Sequence, residues 1–377
     1  MRQAEESLSD ENVLTHSAST RNACKVCAPL GASIAFRGIE NCVPLIHGSQ
    51  GCPTYIRRYV ISHFREPIDI ASSNFNESAA IFGGGDNLKK ALDNVTRQYH
   101  PSAIGIATTC LSETIGDDVR LYLDEYRKAA KDAGSLPAII HASTPAYSGT
   151  HMEGYHAALR ATVETLSADG PDNGTVNIVP GFISPEDIRH LKEIVSAFGA
   201  GFTMFPDYSE TLDGESWPEY QRLPQGGTPI DAIRGMGRAR ATIELGRSLE
   251  GQKTAAGFLE ERFGVRRITC GLPIGVRETD RFFDALSGLF GVETPLEYRK
   301  ERGRLVDAYI DGHKYVFGKR AVVYGEVDFV AAMASFLDEI GIVPALCATG
   351  ACTGRFKSIV RSGIEHASEE MMIAEDS

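Results

Sequence analysis

The 377-residue sequence has no apolar run that approaches about 18 residues, so it predicts no transmembrane helix. Its first segment, MRQAEESLSDENVLTHSAST, is acidic and lacks the apolar core of a signal peptide. We therefore expect a cytoplasmic protein in which residues 1–20 form a flexible arm.

Positive charge is also scarce. The sequence has 38 Lys and Arg against 50 Asp and Glu, a net charge of −12. Nucleic acids and anionic membranes bind proteins through basic surfaces, so we expect neither partner. The GxGxxG fingerprint and the Walker loop are absent, and IFGGGDNL does not have their spacing. Nucleotide binding therefore has little support.

Disulfide bonds are not expected among the eight cysteines, because the cytoplasm keeps thiols reduced. Cys42, Cys270 and Cys347 lie in or beside apolar runs. A free thiol packs there like any small apolar group. We interpret these three cysteines as packing residues.

Strand and helix patterns alternate along the chain. Residues 102–110 and 136–144 are short apolar runs, separated by a helical pattern that ends at Gly134. This spacing predicts a βαβ unit and hence a parallel sheet. A second series begins at residues 176–182, and its first helix is marked by Ser184 as N-cap. Further strands are predicted at 201–207, 241–246 and 266–273.

A third series contains strands at 320–327 and 342–349 around a helix at 328–340. Two strands are too few for an independent sheet, which usually has about five or six. The sequence thus predicts repeated doubly wound, Rossmann-like α/β domains, the last one truncated. The expected boundaries are 1–20 for the arm, 21–165 and 166–295 for the first two domains, and 296–377 for an incomplete third.

Three other cysteines have neighbours rich in glycine and proline. Cys52 lies in HGSQGCP, interpreted as a tight loop that lets the thiol reach a bulky group. Cys27 precedes Pro29 and Gly31, and Cys110 ends a strand. Open α/β sheets place their sites at the carboxyl ends of strands. We therefore expect the three thiols to converge.

Two kinds of metal centre fit these cysteines. Iron–sulfur clusters are held by thiolates. Zinc is the alternative, since Cys24 and Cys27 form a C-x2-C pair, but no second pair follows at zinc spacing. Three separated thiolates are an incomplete ligand set, which indicates that a second chain supplies the rest. Buried packing thiols without metal remain the third alternative.

Several motifs resemble the nitrogenase component 1 family, on its β-like side, over residues 22–356. They are CAPLGA, PLIHGSQGC, SHFREP, IFGGGDNL, ATTCLSETIGDD, STPAYSGTHMEGY and KERGRLVDAYIDGHKYVFGKR. The resemblance implies three doubly wound α/β domains. Within the family, ISPEDIRHLKEI, FPDYSETLDG and LPQGGTPIDAI are most similar to the N subunit of the iron–molybdenum cofactor assembly scaffold. The catalytic β subunit is the nearest alternative.

The resemblance also implies a cofactor site. Cys27, Cys52 and Cys110 match the cysteines with which β chains hold an interface iron–sulfur cluster, 4Fe–4S or P-cluster-like. In some scaffold N subunits only the Cys52-type cysteine is retained. Catalytic β chains have a serine near the cluster where this chain has Ala146, a difference that favours the scaffold. The iron–molybdenum cofactor or its precursor is implied on the α-like partner.

A cation site is implied by four further residues. Arg65 and Glu66, with Asp307 and Asp311, match positions that hold a cation between two β chains. The two aspartates are four residues apart, so they share one helix face and can bind a hard cation. A solvated acidic face is the equal alternative.

Phe82 matches a phenylalanine at which the reductase iron protein docks transiently. The alternative is an anchor packed into its own domain. His47 and His151 lie near the cysteine motifs, and we interpret them as hydrogen-bonded structural histidines.

The resemblance therefore predicts a subunit of the nitrogen-fixation machinery. The favoured role is a cofactor-assembly scaffold chain that pairs with an α-like chain in an α2β2 heterotetramer and shares an iron–sulfur cluster with it. The alternative is the β subunit of nitrogenase, or of a nitrogenase-like reductase, which relays electrons through the same cluster. An α/β protein with structural cysteines and no metal is the third reading.

Overall fold

Three parallel β-sheets organise the chain. The computed structural model describes residues 26–130, 136–199, 201–351, 353–365 and 371–375. Every strand pair in the three sheets is parallel. The predicted α/β class with repeated parallel sheets is confirmed. No helix within these ranges is long and apolar enough to cross a membrane.

The first sheet consists of β1 (Cys42–His47), β2 (Ala71–Ser72), β3 (Ala103–Thr108) and β4 (Ala138–Ala142), in the order β2-β1-β3-β4. Its helices are α1 (Ala28–Arg37), α2 (Gly51–Phe64), α3 (Glu77–Phe82), α4 (Gly85–Tyr99), α5 (Cys110–Thr114), α6 (Val119–Ala129) and α7 (His151–Leu166). Strands β1 and β3 are buried along their whole length, as central strands of a parallel sheet are. The sequence did not predict β1 or the helices α1 and α2 beside it.

Helices α1 and α7 touch through their backbones. A Cβ atom on Gly31 would lie 1.7 Å from the carbonyl oxygen of His151, and one on Gly154 would lie 1.9 Å from that of Ala28. Only glycine permits this approach. The contact continues just before α1, where the backbone N–H of His151 donates to the carbonyl oxygen of Val26 at 2.9 Å.

The second sheet consists of β5 (Val176–Val179), β6 (Phe202–Met204), β7 (Ala241–Leu245) and β8 (Arg266–Cys270), in the order β6-β5-β7-β8. Its helices are α8 (Pro185–Ala197), α9 (Ile230–Gly235), α10 (Ala255–Phe263) and α11 (Gly275–Phe290). Ser184 caps α8 as predicted, and it forms a reciprocal capping box with Asp187.

The third sheet follows α12 (Leu296–Val316) and contains β9 (Arg320–Gly325), β10 (Val343–Thr349) and β11 (Met372–Glu375), in the order β11-β10-β9. Helices α13 (Val327–Glu339) and α14 (Phe356–Ser362) connect these strands. The sequence predicted only two strands here, because β11 is short and lies in an acidic tail. The domain boundaries and the truncation stay predictions, and the arm at 1–20 lies outside the described residues.

Carboxylates join the third sheet to the second. Asp328 accepts hydrogen bonds from the backbone N–H of Ser248 at 2.8 Å and from its hydroxyl at 2.5 Å. Glu339 accepts from the backbone N–H groups of Val276 and Arg277, in the first turn of α11, at 2.7 and 3.0 Å. A carboxylate at a helix N-terminus is favoured by the free N–H groups and by the helix dipole.

Candidate functional site

Cys27, Cys52 and Cys110 lie at the N-termini of three helices. Cys27 is the N-cap of α1, Cys52 lies in the first turn of α2, and Cys110 is the first residue of α5. Since β1 and β3 pair in parallel and lead into α2 and α5, Cys52 and Cys110 follow the same edge of the sheet. Cys27 reaches this edge through a bridge to Thr150, the N-cap of α7.

Cys52 and Cys110 both act on the pKa of the Cys27 thiol. Burial raises this pKa above its usual value, and the charges of Cys52 and Cys110 raise it further. A hydrogen bond from the backbone N–H of Leu30 opposes the shift. Like charges repel, so a positive centre between the sulfurs would favour their binding as thiolates. The structure thus brings the three cysteines together, and their role as ligands stays a prediction.

Backbone and hydroxyl groups surround the sulfurs. Cys27 and Cys52 are half-buried, whereas Cys110 is exposed. The backbone N–H of Ala146 donates to the Sγ of Cys110 at 3.2 Å, and the hydroxyl of Ser49 lies 4.0 Å from the Sγ of Cys52. Hydrogen bonds to a thiolate favour its charged form.

The surroundings of Cys52 differ from the predicted tight loop. Cys52 and Pro53 lie in the first turn of α2. Proline has no backbone N–H, and in the first turn of a helix this group has no intrahelical partner to lose. A Cβ on Gly48 would meet the Oγ1 of Thr109 at 2.2 Å, so contact with Thr109, and not with a ligand, requires this glycine. Gly51 leaves room beside the thiol, because a Cβ there would meet nothing within 4 Å.

Within the described part of the chain, no three His, Cys, Asp or Glu side chains are placed to hold one metal ion. The ligands of one zinc ion lie about 4 Å apart, whereas cysteines around an iron–sulfur cluster bind different iron atoms and are spread more widely. Cys24, the first member of the C-x2-C pair, lies outside the described residues.

The cysteines interpreted as packing residues are buried. Cys42, Cys270 and Cys347 are 1%, 9% and 0% exposed, which confirms that interpretation. Burial raises the pKa of Cys42 to about 12 and that of Cys347 to about 11. These thiols are therefore neutral at physiological pH and poor nucleophiles.

Exposed apolar side chains adjoin the three cysteines. Tyr55, one helical turn after Cys52, is 61% exposed, and Tyr147, next to Ala146, is 67% exposed. Val26 and Leu111, the direct neighbours of Cys27 and Cys110 in the chain, are each 37% exposed. Exposed apolar patches are typical of interaction sites. We call these four side chains the apolar rim.

The three carboxylates implied in a cation site form no metal-binding group among the described residues of one chain. Arg65 ends α2 in a left-handed conformation (φ 61°), and Glu66 follows it. Asp307 and Asp311 are exposed on α12, a helix with no buried residue. Neither aspartate forms an ion pair with another described residue. A site between two copies of the chain therefore stays a prediction.

Phe82 is not a core anchor. It ends α3 and is 84% exposed, and its neighbour Ile81 is 73% exposed. Three glycines follow, and Gly83 has a φ of 93° that side chains rarely adopt. This apolar pair therefore projects into solvent, which fits a docking role better than a packing role.

His47 and His151 are hydrogen-bonded structural histidines, as predicted. The Nε2 of His47 lies 3.1 Å from the Oδ2 of Asp117, and the Nε2 of His151 lies 2.9 Å from the Oε1 of Glu326. Burial lowers the pKa of His47, and the carboxylate of Asp117 opposes this shift. No local sequence pattern indicates Asp117, because its partner His47 lies 70 residues away in the chain.

A cleft of about 1650 Å³ lies beyond the carboxyl ends of β5, β7 and β8. Its lining is largely apolar and includes Phe182, Leu245, Leu272 and Phe282. None of the three cysteines lines it, so the cleft is separate from the cysteine edge.

The fold and the cysteine edge define an α/β protein with repeated parallel sheets and a thiol cluster at the carboxyl end of its first sheet. A model of the family "Nitrogenase component 1 type Oxidoreductase" matches residues 27–377. The chain belongs to this nitrogenase component 1 family.

Its relatives place it on the β-like side, as predicted. The nitrogenase molybdenum-iron protein beta chain of Clostridium pasteurianum is 39% identical over 355 residues, which are 93% of this chain and 76% of that protein. The corresponding chain of Frankia alni is 36% identical over 89% of this chain and 64% of its own length. This chain therefore spans about two thirds to three quarters of these relatives.

Solved nitrogenase structures have the same fold as this chain. One chain of nitrogenase Cp1 at pH 6.5 superposes with a TM-score of 0.91 at 37% identity, covering 97% of this chain and 80% of that one. A chain of nitrogenase Cp1 at pH 5 superposes with a TM-score of 0.64 at 17% identity, which shows a shared fold alone.

Proposed function

We propose that this chain is the β-like subunit of a component 1-type complex, where it holds an iron–sulfur cluster jointly with an α-like partner and relays electrons through it. The observation that carries the proposal is the meeting of Cys27, Cys52 and Cys110 at one sheet edge. An iron–sulfur cluster supplies one-electron redox chemistry when bound. The chain's own contribution is to hold the sulfurs, orient them from three helix N-termini and leave one side open.

The open side supports a shared site. Cys110 is exposed, and the apolar rim beside the cysteines has no cover within the described residues. A partner chain that packs on the rim would bury these side chains and exclude water from the sulfurs. The relatives are named beta chains, which favours an α-like partner and an α2β2 heterotetramer. The iron–molybdenum cofactor or its precursor is proposed on that partner.

Two contacts complete the proposal. The exposed pair Ile81 and Phe82 would receive the reductase iron protein, which delivers electrons to the complex. Asp307 and Asp311 on α12 would bind a cation together with Arg65 and Glu66 of a second copy of the chain, since exposed carboxylates on an unburied helix are free to reach across an interface.

A second candidate is a subunit of the iron–molybdenum cofactor assembly scaffold. One observation favours it: Ala146 stands beside Cys110 and offers only its backbone N–H. A serine at this position would add a hydroxyl oxygen as a potential ligand. The two candidates share the cluster and the partner, and they differ in whether the complex reduces substrate or transfers a cofactor precursor.

The test is anaerobic co-purification with the α-like partner, followed by iron analysis and EPR. Cys52→Ala should lose iron and weaken pairing together, because a group that binds only the assembled state stabilises that state. Cys347→Ala, at a buried packing position, is the matched control and should change neither. Cys27→Ala and Cys110→Ala count the ligands from this chain. A Cys52→Ala complex with unchanged iron and EPR spectrum would refute the shared cluster.

The same preparation separates the two candidates. Turnover with the reductase protein supports the electron-relay subunit. Transfer of a molybdenum- and iron-containing precursor to a cofactor-free acceptor, without turnover, supports the scaffold.

A further inference from the structure

A buried pair, His47 and Asp117, lies between the cysteine edge and the segment 82–85, in which Phe82 is exposed and Gly84 and Gly85 are buried. The side chain of His47 is 0% exposed and that of Asp117 is 2% exposed. The backbone N–H of Asp117 donates to the carbonyl oxygen of Ser112 in α5, the helix that begins at Cys110, at 3.1 Å. The hydrogen-bond partners of the pair include Gly84 on one side and Thr109, next to Cys110, on the other.

The first link runs from Gly84, in the segment 82–85, to Asp117. The backbone N–H of Gly84 donates to both carboxylate oxygens of Asp117, at 3.0 and 3.1 Å. Tyr122 donates its hydroxyl to the same carboxylate at 3.2 Å. A Cβ on Gly84 would meet the ring of Phe75 at 2.2 Å and the Oδ2 of Asp117 at 2.8 Å. Gly84 therefore has no freedom to move toward the interior without displacing Asp117.

The second link runs from Asp117 to His47. A carboxylate only accepts hydrogen bonds, so the Nε2 of His47 is the donor in this 3.1 Å contact. The Nδ1 of His47 then accepts from the hydroxyl of Ser73 at 3.1 Å, and Ser73 also accepts from the backbone N–H of Gly48 at 3.0 Å. The rings of His47 and Phe75 pack edge to face, with their centroids 4.8 Å apart. Every polar atom of the imidazole is thus occupied.

The third link runs from His47 to the cysteines. The carbonyl oxygen of His47 accepts from the backbone N–H and from the hydroxyl of Thr109, at 3.2 and 3.1 Å. Thr109 is the N-cap of α5, and Cys110 is the next residue. His47 also ends β1 and leads through Gly48 to the helix that carries Cys52. A shift of the His47 backbone would therefore move both cysteine-bearing segments.

We propose that His47 and Asp117 are positioning residues that couple the segment 82–85 to the backbone at Thr109 and Cys110, so that a partner docked on Phe82 alters the setting of the cluster sulfurs. The proposal rests on the proposed function in taking this segment as the reductase docking site. It adds a side-chain connection to the backbone contact in which the N–H of Asp117 donates to the carbonyl oxygen of Ser112 in α5.

The test is a double-mutant cycle in the co-purified complex, read by hydrogen exchange of the peptide that contains residues 105–114. Gly84→Ala should speed exchange at the Thr109 amide by about fivefold or more, the usual size of coupling between sites. Asp117→Ala should do the same. The double variant should exchange no faster than Asp117→Ala alone, because the connection is already broken.

A conservative variant distinguishes connection from mere packing. In Asp117→Asn, the side-chain carbonyl can still accept from Gly84, and the amide can donate to the Nε2 of His47 in its other tautomer. We expect wild-type exchange in this variant and a restored response to Gly84→Ala. If Asp117→Ala fails to assemble, His47→Phe replaces it as the broken variant. Gly288→Ala is the control, since a Cβ there would meet nothing within 4 Å.

Three results would each overturn the coupling. The first is unchanged exchange at Thr109 in Gly84→Ala, and the second is fully additive effects in the double variant. The third is exchange at Thr109 in Asp117→Asn that is as fast as in Asp117→Ala. The EPR spectrum of the same variants reports whether the cluster senses the change. A wild-type complex without iron would refute the proposed function, while the exchange measurement would still decide the coupling.

Discussion

The backbone N–H of Ala146 donates a hydrogen bond to the Sγ of Cys110 at 3.2 Å. Ala146 follows β4 and Cys110 follows β3, so the contact joins two neighbouring strand ends across the cysteine edge. Hydrogen bonds to cluster sulfurs are one of the ways in which a protein sets a reduction potential. This amide is thus part of the proposed site although its side chain contributes no polar atom.

Removing this N–H should lower the reduction potential of the cluster. Ala146→Pro deletes the donor, and a hydrogen bond to a charged group is worth about 1.5 kcal/mol, or up to roughly 60 mV for one electron. The potential falls because the donor stabilises the reduced, more negative state. An EPR-monitored redox titration measures the change. Ala146→Gly keeps the N–H and should keep the potential; equal shifts in both variants would contradict the assignment.

The cysteines should react with alkylating reagents in an order set by burial. In iron-free protein at pH 8, Cys110 should be labelled first among the six described cysteines because it is exposed. Cys42 and Cys347 should stay unlabelled until the protein unfolds, since burial raises their pKa to about 12 and about 11 and leaves almost no thiolate. Mass spectrometry of the labelled peptides gives the order. Early labelling of Cys42 would contradict it.

Particular residues show how far the sequence could predict this molecule. The capping box at Ser184 and the packing cysteines were predictable, because local patterns and apolar runs determine them. Helices α1 and α2 were missed, because Gly31 and Gly51 looked like loop signals. Gly31 instead permits contact with His151, 120 residues further along the chain, and no local pattern encodes such a partner. The hydrogen bond between His47 and Asp117 was missed for the same reason.

Gly31 provides a direct test of that explanation. Gly31→Ala would place a Cβ 1.7 Å from the carbonyl oxygen of His151, so α1 and α7 must separate. Overpacking of this kind should lower the free energy of unfolding by about 2 kcal/mol or more. Thermal and denaturant unfolding measure the loss. Gly288→Ala, in open space on α11, should leave stability unchanged or slightly raised; a similar loss there would point to a general effect.

The acid stability of the protein should depend on His156. Burial lowers the pKa of this histidine to about 4, and both ring nitrogens lack a hydrogen-bond partner within the described residues. The unfolded state therefore binds the proton first, and the stability that His156 contributes falls as the pH drops from about 6.5 toward 4, by at most about 1.4 kcal/mol per pH unit. His156→Leu should flatten this dependence in urea unfolding curves. His141, whose pKa burial also lowers to about 4, adds a slope of its own that His156→Leu leaves in place. His190→Leu, at an exposed position on α8, is the control and should keep the wild-type slope.

The last prediction concerns the carboxylates on α12. If Asp307 and Asp311 meet Glu66 of a second copy around a cation, a chelator should dissociate the heterotetramer into heterodimers, because carboxylates brought together without a cation repel one another. Analytical ultracentrifugation with and without chelator measures this, and Asp307→Asn should mimic the chelator. Asp284→Asn, on α11, removes one carboxylate elsewhere and serves as the control. A tetramer indifferent to both chelator and Asp307→Asn would leave α12 with a solvated acidic face and no metal.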